Sequence, residues 1–138
     1  MQTTLTLSTN GPGLYEFTPE VAAFVRRADL DEALLTLFVR HTSASLLIQE
    51  NADPSVQDDL NAFFRRLAPY GDDPSMSWLT HTAEGPDDMP AHIKAAVTPT
   101  SLSIPVSHGK LMLGTWQGIY LFEHRFTSTR RQVVLHLR

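Results

Sequence analysis

Ser101-Leu-Ser-Ile-Pro-Val-Ser-His-Gly-Lys-Leu-Met-Leu-Gly-Thr-Trp-Gln-Gly-Ile-Tyr-Leu-Phe-Glu123 decides the fold class. Leu102 to Val106 reads as a strand, His108-Gly109-Lys110 as a hairpin turn, and Leu111 to Leu113 and Thr115 to Glu123 as further strands, with Arg131 to Leu137 as the last. Everything after Ser101 is thus three or four antiparallel strands. Upstream the pattern changes to helix. Asp88 and Pro90 open a short Ala-rich helix to about Val97, with Ile93, Ala96 and Val97 facing inward and Asp88 as its cap. Asp53-Pro54 opens a clearer one, because Val56, Leu60, Phe63, Phe64 and Leu67 recur at helical spacing until Pro69 and Gly71 end it near Ala68. Between these helices, Tyr70 to Ser77 is polar and turn-rich, the place for a mobile segment.

The N-terminal part adds four strands and a helix of its own. Thr3 to Ser8 alternates at period two, Asn10-Gly11-Pro12-Gly13 is a turn, and Leu14 to Phe17 pairs back. Thr18-Pro19-Glu20 combines a capping hydroxyl, a proline suited to the first helical position and an acid at the positive end of the dipole, which predicts a helix to about Arg27. Ala33 to Val39 is almost entirely apolar and predicts a strand covered on both faces; Ala44 to Gln49 predicts another. The order is two strands, helix, two strands, two helices, then sheet. This is an α+β arrangement, and 138 residues suffice for one domain spanning 1–138.

Composition narrows the function. No run approaches the roughly 18 apolar residues that span a bilayer, and the first residues do not form a secretory leader, so a soluble, cytoplasmic protein without a membrane partner is expected. Cysteine is absent, which leaves imidazole and carboxylate as ligands for any transition metal. The net charge of −4 argues against nucleic acid, whose binding needs a basic surface to release counterions. Arg125, Arg130, Arg131 and Arg138 cluster near the C-terminus, suited to a phosphorylated small molecule or a partner subunit, although a solvated edge strand is the commoner explanation.

Chemistry concentrates between His81 and Lys94, where His81, Glu84, Asp87, Asp88, His92 and Lys94 crowd six ionisable groups into fourteen residues. The spacing of His81 and His92 matches no helical metal motif, so tertiary structure must bring them together. His124, between Glu123 and Arg125 at a strand end, can complete a three-histidine site with an open position. His41 follows an apolar strand, where it can act as ligand, carry protons or simply cap a carbonyl. Ser43 and Ser45 lack a nucleophile elbow. Glu50 sits at a strand end near a helix start, as cation ligand or solvated loop, whereas Asp53 is explained by capping. Trp116, Tyr120 and Phe122 share one strand face, and Gln117 on the other can reach a polar pocket; His108 and His136 read as structural.

The segments His41-Thr-Ser43-Ala-Ser45, Gln49-Glu50-Asn51-Ala-Asp53-Pro54, His81 to Lys94 and Gly114-Thr-Trp116-Gln117 through Glu123-His124-Arg125 together resemble the secondary thiamine-phosphate synthase family, also called the YjbQ family. The resemblance runs in order from Val39 to Arg131. It implies a β-sandwich-like α+β fold with about three flanking helices, assembling as a homotrimer through its sheets. It also implies an activity that joins a pyrimidine diphosphate to a thiazole phosphate with release of diphosphate, assisted by a divalent ion, Mg or Zn. His41, Glu50, Asp53, His81, His92 and Gln117 match recurring family positions, while some relatives carry another histidine where Pro90 stands and lack the Glu-His-Arg of 123–125. The expected arrangement is a metal held by His81, His92 and His124, catalysis by His41, Glu50 and Gln117, and phosphate held by Lys94 and Arg125. A non-catalytic metal-binding trimer and a metal-dependent hydrolase of phosphorylated small molecules use the same residues.

Overall fold

The computed structural model describes residues 1–138. Period-two alternation at the chain start becomes β1 (Gln2–Asn10), and after the glycine turn β2 is Gly13–Glu16, followed by α1 (Thr18–Ala28). The two apolar runs form β3 (Glu32–Val39) and β4 (Ala44–Glu50). Helix α2 spans Pro54–Leu67, a single 3-10 turn covers Pro74–Met76, and α3 is Asp88–Ala96. The last third is β5 (Ser101–Ser107), β6 (Lys110–Leu111), β7 (Gln117–Glu123) and β8 (Ser128–Leu137).

These strands make two antiparallel sheets, one of five strands in the order β1-β8-β3-β5-β6 and one of three in the order β2-β7-β4. The α+β expectation holds. The hairpin at His108-Gly109 forms with both residues at positive φ, 50° and 67°, joining Ser107 to its partner Lys110. Strand β7 begins at Gln117 and not Thr115, because the Gln117 amide donates to the Gly114 carbonyl and makes a turn there. Strand β8 begins three residues earlier than expected, since β1 is long enough to pair Asn10 with Ser128. It is also internal, between β1 and β3, which corrects the edge-strand reading of the C-terminal arginines.

The core lies between the sheets. Leu35, Leu37 and Val39 of β3, Ala44 and Leu46 of β4, Ile119 and Leu121 of β7, and Val133, Leu135 and Leu137 of β8 meet there, closed at one side by Phe17, Val21, Phe24 and Val25 at and within α1. Strand β3 is covered on this face alone: Leu34 and Phe38 remain 47% and 49% exposed, because no helix crosses the outer face of the larger sheet. The strand buried on both faces is β7. Its second face is covered by α2, with Phe64 edge-on to Phe122 at 5.0 Å and the Gln57 amide donating to the Tyr120 hydroxyl.

Of the expected helix caps, Asp53 forms: its Oδ1 accepts from the Ser55 amide at 2.9 Å. Thr18 instead lies inside α1, where its hydroxyl donates to Glu16 and accepts from the Ile119 amide, tying the helix to β7. Asp88 also lies inside its helix, one residue past the N-cap Asp87, so its carboxylate is free to turn elsewhere.

One buried ion pair joins the sheets. Glu123, at the end of β7 and 0% exposed, accepts from the Arg131 guanidinium of β8, from the Thr9 hydroxyl of β1 and from the amides of His124 and Arg125. Burial alone would raise its pKa, but the bonds from Arg131, the Arg125 amide and Thr9 outweigh that and hold the carboxyl below its ordinary value. A depressed carboxyl pKa contributes stability that is present above the unfolded-state value, about 4.3 for glutamate, and is lost as pH falls through the folded one. Glu123→Gln should therefore lower the stability at neutral pH by about 3–5 kcal/mol, since it strands Arg131, and should flatten the acid limb of the stability-pH curve. Urea unfolding across a range of pH from neutral to acid measures both; an unchanged acid limb would show that Glu123 is not the linked group.

Candidate metal centre

Two segments converge at the start of α3. The loop after the 3-10 turn carries His81, while the first two turns of α3 carry Asp88 and His92, four residues apart and so on one helical face. One ligand atom from each of His81, Asp88 and His92 lies within 4.8 Å of the others. His81 Nε2 is 2.7 Å from Asp88 Oδ2, His92 Nε2 is 3.5 Å from the same oxygen, and the two imidazole centroids are 5.6 Å apart. Glu84 stands at the rim, its Oε2 3.3 Å from His81 Nε2 and its side chain 64% exposed.

Two of the three donors are held from behind. His92 Nδ1 lies 2.9 Å from the Thr42 carbonyl, an oxygen that only accepts, so Nδ1 carries the proton and Nε2 presents its lone pair to the centre. Asp88, 2% exposed, receives Arg125 Nη1 on Oδ1, which leaves Oδ2 to face both imidazoles. The same guanidinium donates Nε to Asp87 at 2.8 Å and Nη2 to the Glu84 carbonyl at 3.1 Å. Burial pushes the Asp88 pKa up, yet hydrogen bonds with Glu84 and His81 and the charge of Arg125 bring it below the ordinary value, so the carboxylate is ionised. Two imidazoles and one carboxylate on one side of an ion leave positions open on the other. This donor set suits zinc or a similar first-row ion, whereas magnesium prefers oxygen alone. A cleft of about 300 Å³ opens beside it, lined by Leu79, His81, Met89 and Pro90 among others.

The remaining expected residues are placed as follows. His124 does not join His81 and His92; it is 1% exposed and its Nε2 lies 3.0 Å from Ser45 Oγ, so the third donor the fold supplies is Asp88, which the sequence suggested as a cap. Arg125 reaches the centre but its fork is occupied by Asp87, Asp88 and Glu84, leaving it a positioning group and not a free phosphate clamp. Lys94 is 6% exposed and, two residues beyond His92, sits about 200° around α3, behind the centre. His41 accepts at Nε2 from the Gln132 amide, and burial together with the Arg131 charge lowers its pKa, so it is neutral.

Glu50 and Gln117 face each other in register at one end of the β4–β7 pair, while Ala44 and Glu123 close the other end, about 20 Å away for a strand of this length. Glu50 accepts there from the Asp53 amide, and Gln117 folds back to accept from the Gly114 amide, exposed and away from any polar pocket. Trp116, 62% exposed, does not share the buried face of Tyr120 and Phe122. In the sequence Asp87 and Asp88 stand out only as members of the charged His81 to Lys94 stretch and the Thr42 carbonyl not at all; the four-residue spacing of Asp88 and His92 is the signal that sets Asp88 apart.

Comparison with known proteins agrees with this architecture. The chain is 48% identical over 136 residues to the UPF0047 protein sll1880 of Synechocystis, covering 99% of this chain and 90% of that protein. It is 41% identical over 140 residues to the UPF0047 protein YjbQ of Escherichia coli O157:H7, covering 99% and 96%. Among solved structures it is similar to the conserved hypothetical protein TT1486 of Thermus thermophilus, with a TM-score of 0.85, 32% identity and 99% of both chains covered. It is likewise similar to the hypothetical protein APE1520 of Aeropyrum pernix, with a TM-score of 0.87, 27% identity, and 100% and 98% covered. The family model described as UPF0047 protein YjbQ-like matches residues 3–138, and the chain belongs to that family.

Proposed function

We propose that the chain is a metal-dependent enzyme acting on phosphorylated small molecules, in its specific form a transferase like thiamine-phosphate synthase that joins a pyrimidine diphosphate to a thiazole phosphate. The observation that carries the reading is the convergence of His81, Asp88 and His92 within 4.8 Å, with two of the three oriented from behind, at the edge of a cleft. A bound divalent ion would supply charge neutralisation for the departing diphosphate. The Thr42 carbonyl fixes the tautomer of His92 and Arg125 fixes the free oxygen of Asp88, while exposed Glu84, 3.3 Å from His81 Nε2, stands within reach of an ion held there. Glu50 and Gln117 take no part in this reading, being at the other end of the small sheet. The protein works as a cytoplasmic homotrimer, with the half-exposed Leu34 and Phe38 supporting an assembly face on the larger sheet.

Two measurements test this. Zinc titrated into chelator-treated, dialysed protein should bind at one ion per chain, with Asp88→Asn and His92→Ala each weakening it by at least about tenfold and Arg125→Gln by about 10–100-fold although it touches no ion. Binding that is indifferent to all three removes the metal centre. In the second, metal-loaded protein supplied with both precursors should form thiamine phosphate, and His81→Ala should lose most of that rate. Equal product from wild type and His81→Ala overturns the transferase reading, and release of inorganic phosphate without coupling would move the assignment to a hydrolase.

A further inference from the structure

A second polar pocket lies on the other side of α3, between that helix and α2. It has a volume of about 210 Å³, and Asn61 and Arg65 of α2, Tyr70, Lys94 of α3, Glu123 and His124 line it with Pro12 and the rings of Phe64 and Phe122. Two of its groups have no partner in the protein. Lys94, 6% exposed, makes no ion pair and meets only the face of Tyr70, its Nζ 5.8 Å from the ring centroid. The acids around it are already engaged: Glu123 by Arg131, Thr9 and two amides, Asp87 by Arg125 and the Phe126 amide. The other group is His124, whose Nδ1 is buried without a hydrogen bond.

Proton accounting shows what Nδ1 offers. Thr98 Oγ1 lies 2.6 Å from the Lys94 carbonyl and 2.6 Å from Ser45 Oγ. A carbonyl only accepts, so the single Thr98 proton goes to Lys94, and the short contact between the hydroxyls must be bridged by the Ser45 proton. Ser45 then has none to give His124, so His124 Nε2–H donates to Ser45 across 3.0 Å and Nδ1 is left as a bare lone pair. Burial, and then the Lys94 charge, lower the imidazole pKa to about 3, consistent with that neutral tautomer. The pocket therefore presents two cations beside one buried acceptor that needs a donor, all against an apolar ring wall. A fully ionised anion would satisfy the cations and repel the acceptor.

We infer that this pocket binds a small tetrahedral oxyanion that carries one O–H, hydrogenphosphate or the monoanion of a phosphate monoester, with its charged oxygens on Lys94 and Arg65 and its hydroxyl donated to His124 Nδ1. The site goes beyond the metal reading and does not need it, because Lys94 and His92 point from different sides of α3. It also gives Lys94 a phosphate role in a place separate from the imidazole pair.

Calorimetric titration of inorganic phosphate into chelator-treated, dialysed protein at neutral pH tests it, with sulfate as the competing probe. Phosphate should bind saturably at one site per chain. Sulfate, which has no proton to give, should bind at least about tenfold more weakly, the cost of leaving a buried acceptor unmet. Lys94→Met and Arg65→Gln should each weaken phosphate by about tenfold or more, whereas His81→Ala should bind as wild type does. Arg65 is exposed, so its variant remains informative if Lys94→Met fails to fold, and the nitrogen resonance of His124 Nδ1 should move on phosphate addition alone. Absence of saturable binding, equal affinity for sulfate, or equal loss in His81→Ala and Arg65→Gln overturns the site.

Discussion

The Glu123 carboxylate is the point on which the molecule turns. It is fully buried and receives donors from β8, from β1 and from the two amides that follow it, so it joins the small sheet to the large one at the place where the chain leaves β7. Two charges out of water are costly, and one hydrogen-bonded pair often does no better than break even against apolar packing. Here both carboxylate oxygens are engaged by several donors, and the pair does something an apolar contact cannot. By pinning the amides of His124 and Arg125 it sends one side chain inward to Ser45 and the next outward to Asp87 and Asp88. The buried pocket and the metal centre are thus set by consecutive residues of one turn.

Helix α3 divides those two regions. Asp88 and His92 are a helical turn apart and face the His81 loop, while Lys94 falls on the opposite side toward α2. Nine residues are enough for this because the helix is anchored at both ends, by Arg125 on Asp87 and Asp88 at its start and by the Thr98 hydroxyl on the Lys94 carbonyl at its end. Movement of α3 to improve one site would disturb the other, so the anchors confer order on both.

Elements with a local cause were readable in the chain. Asp53-Pro54 starts α2 because the cap and the proline act on their own neighbours, and Thr3 to Ser8 is a strand because alternation needs only one covered face. Thr18 carries the same local signal as Asp53 and yet serves the Ile119 amide, since β7 lies within reach and offers a donor that α1 must satisfy. The apolar run of β3 reads as covered on both sides because composition registers hydrophobicity, not what stands opposite it; the helix that could have covered Leu34 and Phe38 packs on β7 instead. The site was legible as residue types and as the His81 to Lys94 segment. Its partition was not: the register that puts Glu50 opposite Gln117 and Ala44 opposite Glu123 separates expected partners by the length of a strand, and nothing local to Asp88 distinguishes a helix cap from a shared ligand.

Net charge also needs to be read locally. An excess of four acids disfavours a polyanion that must lie along an extended surface, but it places no bar on one small oxyanion in an enclosed pocket. Beyond a Debye length of about 8–10 Å the exposed carboxylates are screened, whereas Lys94 and Arg65 act across a few ångströms lined by aromatic rings. Within that range the nearest acids, Asp87 and Glu123, are already committed to Arg125 and Arg131. The arginines near the C-terminus therefore contribute to anion recognition without touching an anion: by neutralising the two carboxylates that border the pocket, they leave the charge of Lys94 unanswered.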